Sequence, residues 1–449
     1  LVRPRTDVAC FIGVAGPAFV HEPQRVDDWR EFQERFLTDA KGEPIEVPLG
    51  SRLTDAVRAF FANGGARCWV VNVAADVAGT GPLTLLLDTL GHPRAGAPVD
   101  ADGQPVPRGL EAALRIPEVA ILDVPVLFAT RDERIEVPDA PLPPRFEEGT
   151  FLRCDRIRNA STVSGLSETV RSARVFDDAA LLSAQRILLE RCHDVRWRIL
   201  LLLAPPAGLD PDAAIAWRDD LGTWDGAALY WPWVLTQDVP GAPTELQSPT
   251  GAAAGVLARV DLDRGPHRAP AGESVLGIVG VEHPVPDRVQ AAVYPRGINS
   301  VRPIAGRGLM LWGARTLQFV DVEPPSDSTR DTLGYLNVRR SLSAVERTAH
   351  AIGQGLVFQP HTVFLRLQLS QAIRGHLTDL YDAGALQGKS IEEAFFVRCD
   401  SEVNPPEVVD AGQLICEVGV AIAAPAEFVV FRIGRRAGVV EIEEDSRGR

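Results

Sequence analysis

The stretch that decides the fold is Gly297-Ile-Asn-Ser-Val-Arg-Pro-Ile-Ala-Gly-Arg-Gly-Leu-Met-Leu-Trp-Gly-Ala-Arg-Thr-Leu317. It is followed by Tyr335-Leu-Asn-Val-Arg-Arg-Ser341, by two runs with apolar residues at helical spacing, and by Glu392-Glu-Ala-Phe-Phe-Val-Arg-Cys-Asp400. Two β-prone runs come last, within Leu414–Val420 and Pro425–Ile433. The order of these pieces predicts mixed α/β structure at the end of the chain.

In this order, the pieces resemble the C-terminal domain of the contractile tail sheath family, which includes phage tail sheaths, pyocins and related extracellular injection systems. The resemblance covers about residues 250–433, with weaker support from Val8–Val73 and Leu200–Val234. An earlier segment also looks like the family's A-x-x-D-x-x-R-G-x-x-x-A-P-A/G run. The residues that occupy it are Ala258, Asp261, Arg264, Gly265, Ala269, Pro270 and Ala271.

The resemblance implies a structural subunit that polymerises as stacked hexameric rings around an inner tube and contracts to drive the tube through a target envelope. It implies further partners, namely a baseplate and terminal cap proteins, and it implies no cofactor and no catalytic residue. Assembly is expected in the cytoplasm, within a phage tail or a tail-like particle that can be released from the cell. The resemblance does not distinguish a phage from a pyocin-like particle or a bacterial injection system.

Composition limits the classes of function. The 449 residues carry 60 acidic and 46 basic side chains, a net charge of -14, which argues against a nucleic-acid-binding protein. No apolar run approaches the ~20 residues that a membrane span needs, so no membrane insertion is expected. The six cysteines form no CxxC pair, so the sequence indicates neither a zinc ribbon nor a disulfide framework, and a reducing compartment is expected. The chain does not begin with Met, so we expect its native first residues to be absent.

From Val8 onward, short apolar runs alternate with segments whose apolar residues have helical spacing. This alternation predicts a doubly wound α/β core with a parallel sheet covered on both faces. A chain of this length predicts two or three domains. The predicted organisation is residues 1–74 as the first part of the core, 75–173 as inserted, outward-facing regions around a core strand near 119–128, 174–249 as the continuation of the core, 250–433 as the sheath-like C-terminal domain, and 434–449 as a polar tail.

Two long helical runs are predicted in the C-terminal domain. The second, Thr362–Leu386, predicts a buried stripe of Phe364, Leu367, Ile373, Leu377 and Leu380. In the first, near Ser341–Ile352, the polar face is the candidate contact with an inner tube, by resemblance. An ordinary solvated face explains it equally well. The candidate residues are Arg339, Arg340, Arg347 and His350.

The last β-prone run is the candidate intersubunit strand, because an unpaired terminal strand offers its backbone to another chain and sheath proteins link neighbours by such arms. An edge strand packed within its own domain is the alternative. The residues of this candidate strand are Phe428, Val429, Val430, Phe431, Arg432 and Ile433.

An enzyme on the doubly wound sheet is the main alternative function. Its ligand would lie after Val73, Leu203 or Val234, at the carboxyl ends of predicted strands. The sequence contains no GxSxG elbow, P-loop or HExxH, and no GxGxxG after a strand, so no catalytic residue is proposed. A non-contractile capsid-like or surface-layer protein is a third possibility, and negative-stain microscopy discriminates the three.

Overall fold

Short, continuously apolar runs form the centre of the fold, because strands that are buried on both faces need no polar alternation. The structure of the protein is a computed structural model. The residues that the structure describes are 4–39, 41–45, 52–75, 77, 79–92, 99, 103–138, 166–237, 244–318, 332–356, 359–360, 362–424, 430–436 and 439–445. For 132–138, 166–172, 332, 430–436 and 439–445 the description covers the backbone.

Strands and helices alternate through the first half of the chain. The elements are β1 (Ala9–Gly13), β2 (Gln24–Val26), α1 (Trp29–Phe36), α2 (Arg52–Ala62), β3 (Cys68–Asn72), α3 (Pro82–Thr89), α4 (Gly109–Leu114), β4 (Ile121–Asp123), β5 (Thr130–Pro138), β6 (Leu166–Arg174), α5 (Asp178–Cys192), β7 (Leu200–Leu203), α6 (Pro211–Leu221), β8 (Ala227–Trp231), β9 (Val234–Thr236) and β10 (Glu245–Gln247).

The second half contains the two longest helices that the structure describes. The elements are α7 (Thr250–Arg264), β11 (Glu273–Ser274), β12 (Gly280–Val281), α8 (Asp287–Val293), β13 (Ile298–Ile304), β14 (Gly308–Trp312), α9 (Leu336–Gln354), α10 (Val363–Asp382), α11 (Ile391–Ala394), β15 (Phe395–Arg398), α12 (Pro406–Asp410), β16 (Glu417–Val420), β17 (Val430–Arg436) and β18 (Val439–Asp445).

A nine-stranded mixed sheet has the order β11-β14-β13-β8-β7-β4-β1-β3-β2. The six strands from β13 to β3 are parallel, with Ala9 opposite both Cys68 and Ile121. Antiparallel strands complete both edges. The predicted α/β class is therefore confirmed, and the quoted stretch Gly297–Leu317 supplies β13 and β14.

Helices cover both faces of this sheet. Within β1, Cys10 and Ile12 pack into one apolar cluster and Ala9 and Phe11 into another, as the period of two requires. Helices α1, α2 and α7 contribute to the second cluster. Helices α3 to α6 contribute to the first, so α3 and α4 are core elements, although the sequence predicted an outward-facing insertion for 75–118.

The predicted core strand near 119–128 is shorter in the structure. Strand β4 ends at Asp123, and Pro125 begins a 3-10 turn that continues to Phe128. Proline favours this position because its ring fixes φ and it has no N–H to donate to a ladder. The chain then enters β5, which pairs with β6. This pairing brings together the two ends of residues 131–173, the second part of the predicted insertion.

The C-terminal part has a separate apolar core. Residues of α9, α10, α11 and β15 form it, among them Val345, Ile373 and Phe395. The sequence predicted a C-terminal domain from residue 250, whereas α7, β13 and β14 belong to the nine-stranded sheet and its covering layer. Helix α9 connects the two parts, since Leu336 packs in the sheet's second cluster and Val345 in the separate core.

The predicted buried stripe of α10 was partly wrong. Ile373 and Leu377 are buried as expected, together with Leu365 and Leu369 at the same helical spacing. Phe364 and Leu367 are 74% and 53% exposed. Apolar residues occur on both sides of this helix, so that spacing alone could not select the face that is buried.

Candidate assembly interface

The hairpin of β15 and β16 has two outer edges. The N–H of Ala421 donates to the C=O of Ala394, 2.9 Å away, so these two residues are a hydrogen-bonded pair of the antiparallel ladder. Three positions further on, Val397 faces Val418 in the same register, as a non-bonded pair. Because bonded and non-bonded pairs alternate, the backbone N–H and C=O of both valines point away from the partner strand.

The outer edge of β15 is already occupied. The N–H of Phe395 donates to the C=O of Ile391 at the end of α11. The guanidinium of Arg374, on α10, donates to the outward C=O of Val397 at 2.9 Å. A side chain bound at this position takes the place that an added strand would need.

The outer edge of β16 is open. Among the described residues, no hydrogen bond engages the outward N–H and C=O groups of Val418 and Val420. Both side chains pack against the C-terminal core from the inner face. An exposed strand edge of this kind can accept a strand of another chain through backbone hydrogen bonds, so β16 is the candidate acceptor.

The predicted intersubunit strand lies at the start of a second hairpin. Phe428 and Val429 lie outside the described residues, and Val430, Phe431, Arg432 and Ile433 belong to β17. Strand β17 pairs with β18, with Ile433 opposite Ile442. The predicted polar tail 434–449 contains β18. There Val440 and Ile442 alternate with Glu441 and Glu443, a pattern that favours a strand over an irregular tail. Use of β17 between subunits stays a prediction.

Arg340 lies in the interior, although the sequence placed it on a polar face. Its guanidinium donates to both carboxylate oxygens of Asp261, at 2.8 and 2.6 Å, and to the C=O of Thr6 at 3.0 Å. Burial raises the pKa of Asp261 to about 6, and the positive charge of Arg340 opposes that rise. The pair joins α9 to α7 and to the segment before β1.

Arg347 binds four backbone carbonyls and is also buried. Its acceptors, at 2.9 to 3.2 Å, are the C=O groups of Val119, Arg198, Pro117 and Glu118. These residues come directly before β4 and β7, where carbonyls at the ends of parallel strands lack a ladder partner. Burial lowers the pKa of Arg347 to about 10.

Arg339 completes the contact, with donors to Glu346 at 2.7 Å and to Asp225 at 3.3 Å. The three arginines are 4 to 6% exposed, which argues against a direct contact of their guanidinium groups with an inner tube. His350 is exposed, and its ring lies 5.3 Å from that of Trp197. The hydrophobic pattern predicted helix α9, but it did not indicate that the α/β core covers the first half of this helix. Contact of any of the four residues with a tube stays a prediction.

A cleft with a volume of about 950 Å³ is lined by Val20, Trp69 and Ile116, with Arg108 at its wall. None of its lining residues directly follows Val73, Leu203 or Val234, the positions after which a ligand of a doubly wound enzyme was expected. Within the described ranges, no three His, Cys, Asp or Glu side chains lie close enough to bind a metal ion. None of the described helices is long and apolar enough to cross a membrane.

Known proteins share this architecture. Residues 175–317 match the family described as the phage tail sheath protein central domain, from the end of β6 to the end of the nine-stranded sheet. This part of the chain is similar to a tail sheath domain. The tail sheath protein of Burkholderia phage BcepMu is 29% identical to the chain over 238 residues, which are 50% of this chain and 47% of that protein.

The tail sheath protein of Vibrio phage KVP40 is 27% identical over 182 residues, which are 40% of this chain and 25% of that protein. The chain thus spans about half, or less, of the curated relatives it matches. The sheath complex of the PVC extracellular contractile injection system, solved in its contracted state, is 21% identical, with a TM-score of 0.64 over 97% of this chain and 94% of that one. The sheath fold therefore extends over nearly the whole chain.

Proposed function

We propose that this chain is a structural subunit of a contractile sheath, which polymerises as stacked hexameric rings around an inner tube. The observation that carries the proposal is the similarity of residues 175–317 to a tail sheath domain, within a fold shared with a contracted sheath over 97% of the chain. In this function, work comes from rearrangement between two lattices of subunits, and no cofactor or catalytic group is needed. Contraction drives the tube through a target envelope.

Neighbouring subunits are linked by shared β-structure in this proposal. The donor is the terminal strand at Phe428–Ile433, and the acceptor is the open edge at Val418 and Val420 of another copy. Backbone hydrogen bonds across such an edge do not depend on a particular side-chain surface, so they can persist while other contacts change. The arginines of α9 hold the acceptor hairpin's domain to the α/β core.

The other partners belong to the same proposal. An inner tube, a baseplate and terminal cap proteins would contact the assembled sheath, after assembly in the cytoplasm and before release as part of a phage tail or tail-like particle. Of the four residues predicted to touch the tube, His350 has the exposed side chain that such a contact requires.

Electron microscopy of the purified full chain, alone and expressed with its tube protein, tests the proposal. We expect hollow or striated cylinders. The matched variant lacks residues 426–449 and is expected to remain folded but to form no cylinders. Discrete particles from the full chain under all conditions would contradict the sheath assignment. Cylinders from the truncated chain would contradict only the assignment of the terminal strand.

A further inference from the structure

Two cysteines flank the acceptor hairpin. Cys399 follows β15 directly and Cys416 precedes β16 directly. The register pairs Arg398 with Glu417, so the next pair in the same register is Cys399 with Cys416. Both cysteines are reduced in the structure.

The strand geometry brings these two thiols to the same side of the hairpin. The side chains at Phe395 and Val397 are buried in the C-terminal core, and Cys399 continues this alternation, at 9% exposure. Cys416 packs against the same core from the other strand. The thiol of Cys399 donates to the C=O of Ile415, the residue before Cys416, at 3.4 Å. Each of the two thiols also affects the pKa of the other.

Hydrogen bonds hold the backbone beside the pair in place. Asn404 donates to the C=O of Ile415 at 2.8 Å and accepts from the N–H of Ile415 at 2.8 Å. The same side chain donates to the C=O of Asp400. These bonds fix the residues next to both cysteines. Because the ladder has already placed the two Cβ atoms opposite each other, a bond between the sulfurs needs little backbone movement.

We propose that Cys399 and Cys416 form a reversible disulfide that locks β15 to β16, and that this dithiol is a redox-sensitive modification site of the chain. The oxidant class is a small-molecule disulfide such as oxidised glutathione. The cross-link closes the loop that contains α12 and Asn404, which restricts the unfolded chain and stabilises the hairpin. If the proposed sheath leaves the cell, it passes from a reducing to an oxidising environment, where this bond persists.

The chemistry is two successive exchanges. The thiolate of Cys416, the more exposed of the two, attacks one sulfur of oxidised glutathione, forms a mixed disulfide and releases one glutathione thiolate. The thiolate of Cys399 then attacks the Cys416 sulfur and releases the second. Two protein thiols are oxidised, one small disulfide is reduced to two thiols, and the two protons that leave the cysteines are taken up by the two glutathiones.

Burial controls the rate of this reaction. It raises the pKa of both thiols, that of Cys416 to about 12, so that both are protonated at neutral pH. As long as the pH is below the pKa, the thiolate fraction rises about tenfold for each unit by which the pH is increased. The bond therefore forms slowly near neutral pH and faster in mild alkali, which suits a site that stays reduced during assembly.

The test uses the full chain as soluble subunits, so that its outcome does not depend on whether sheaths form. The protein is incubated with oxidised glutathione at a series of pH values, and the remaining thiols are alkylated in denaturant. Trypsin is unsuitable, because its sites at Arg398 and Arg432 leave both cysteines on one peptide. Cleavage after Glu402 and Glu407 separates them, so that linked peptides come apart only on reduction.

We expect a peptide pair joined through Cys399 and Cys416, a rate that rises with pH, and a higher denaturant midpoint for the oxidised chain than for the reduced chain. Cys416→Ser and Cys399→Ser should both lose the linked pair and the shift of the midpoint. The matched control is Cys192→Ser, which removes a buried cysteine elsewhere and should keep both effects. Two outcomes would overturn the proposal. One is a mixed disulfide of Cys416 with glutathione that does not go on to a bond with Cys399. The other is the absence of a Cys399–Cys416 cross-link at a pH where every cysteine has reacted.

Discussion

Arg340 and Asp261 form a bidentate ion pair in the interior, with N–O distances of 2.8 and 2.6 Å. Their side chains are 6% and 1% exposed, so each charge depends on the other. Replacing one member leaves an uncompensated buried charge, which typically costs about 3–5 kcal/mol. The pair therefore governs how firmly α9 is attached to the core.

Arg340→Leu should lower the free energy of unfolding of the monomer by about 3 kcal/mol or more at pH 8, measured by urea denaturation. The deficit should be smaller at pH 5, because a buried Asp261 without its partner binds a proton in the folded state and avoids the charge. Arg340→Met combined with Asp261→Leu should recover most of the loss. Arg30→Ala, which breaks an exposed pair with Glu34, should change stability by less than about 1 kcal/mol.

Asp123 should make the protein less stable as the pH rises. Burial raises its pKa to about 7, despite hydrogen bonds from Thr250 and the N–H of Val124. Between about pH 4 and pH 7 the folded chain therefore holds a proton that the unfolded chain has lost, so stability falls across this window and levels above it. Asp123→Asn should flatten the profile and add on the order of 3 kcal/mol at pH 8. An unchanged slope would show that Asp123 titrates normally.

Arg347→Met should destabilise the monomer by about 2–4 kcal/mol, since it leaves four carbonyls at the starts of β4 and β7 without their donor. Arg347→Lys should recover part of the loss, because an ammonium has three donors and lacks the planar fork. Amide hydrogen exchange in α9 should rise in both variants. A Met variant as stable as the parent would contradict the anchoring role.

Leu369→Ala and Leu367→Ala are a matched pair on α10 that tests which face is buried. Leu369 is 6% exposed and should cost about 2–4 kcal/mol when truncated. Leu367 is 53% exposed and should cost less than about 1 kcal/mol. Thermal or chemical unfolding of the two monomers measures both values. The opposite ranking would restore the stripe predicted from the sequence.

Val418→Pro tests the open edge of β16. It removes an N–H that points away from β15, so the monomer should keep its fold and near-parental melting temperature. Assembly into cylinders should fail, because the added strand loses a backbone donor. Val418→Thr retains the N–H and a β-branched side chain, and should assemble. Normal cylinders from the proline variant would place the strand acceptor elsewhere.

The sequence was sufficient to predict the α/β class, because short stretches of sequence indicate its elements. Strand β7 has four consecutive leucines, and helices such as α6 begin at a capping residue. It did not show that α3 and α4 are core elements, since Gly and Pro around them resemble a surface excursion. The burial of Arg340 and Arg347 could not be predicted either. Their partners Asp261 and Val119 lie 79 and 228 positions away along the chain, and only the assembled sheet brings them together.

Helix α9 is a single rod with its two ends embedded in different cores, Leu336 in one and Ile352 in the other. In the proposed sheath, traction on β16 would pass through the packing of α10 into α9, and from there through Arg340 and Arg347 to the amino ends of β1, β4 and β7. Three adjacent strands then share the load in parallel.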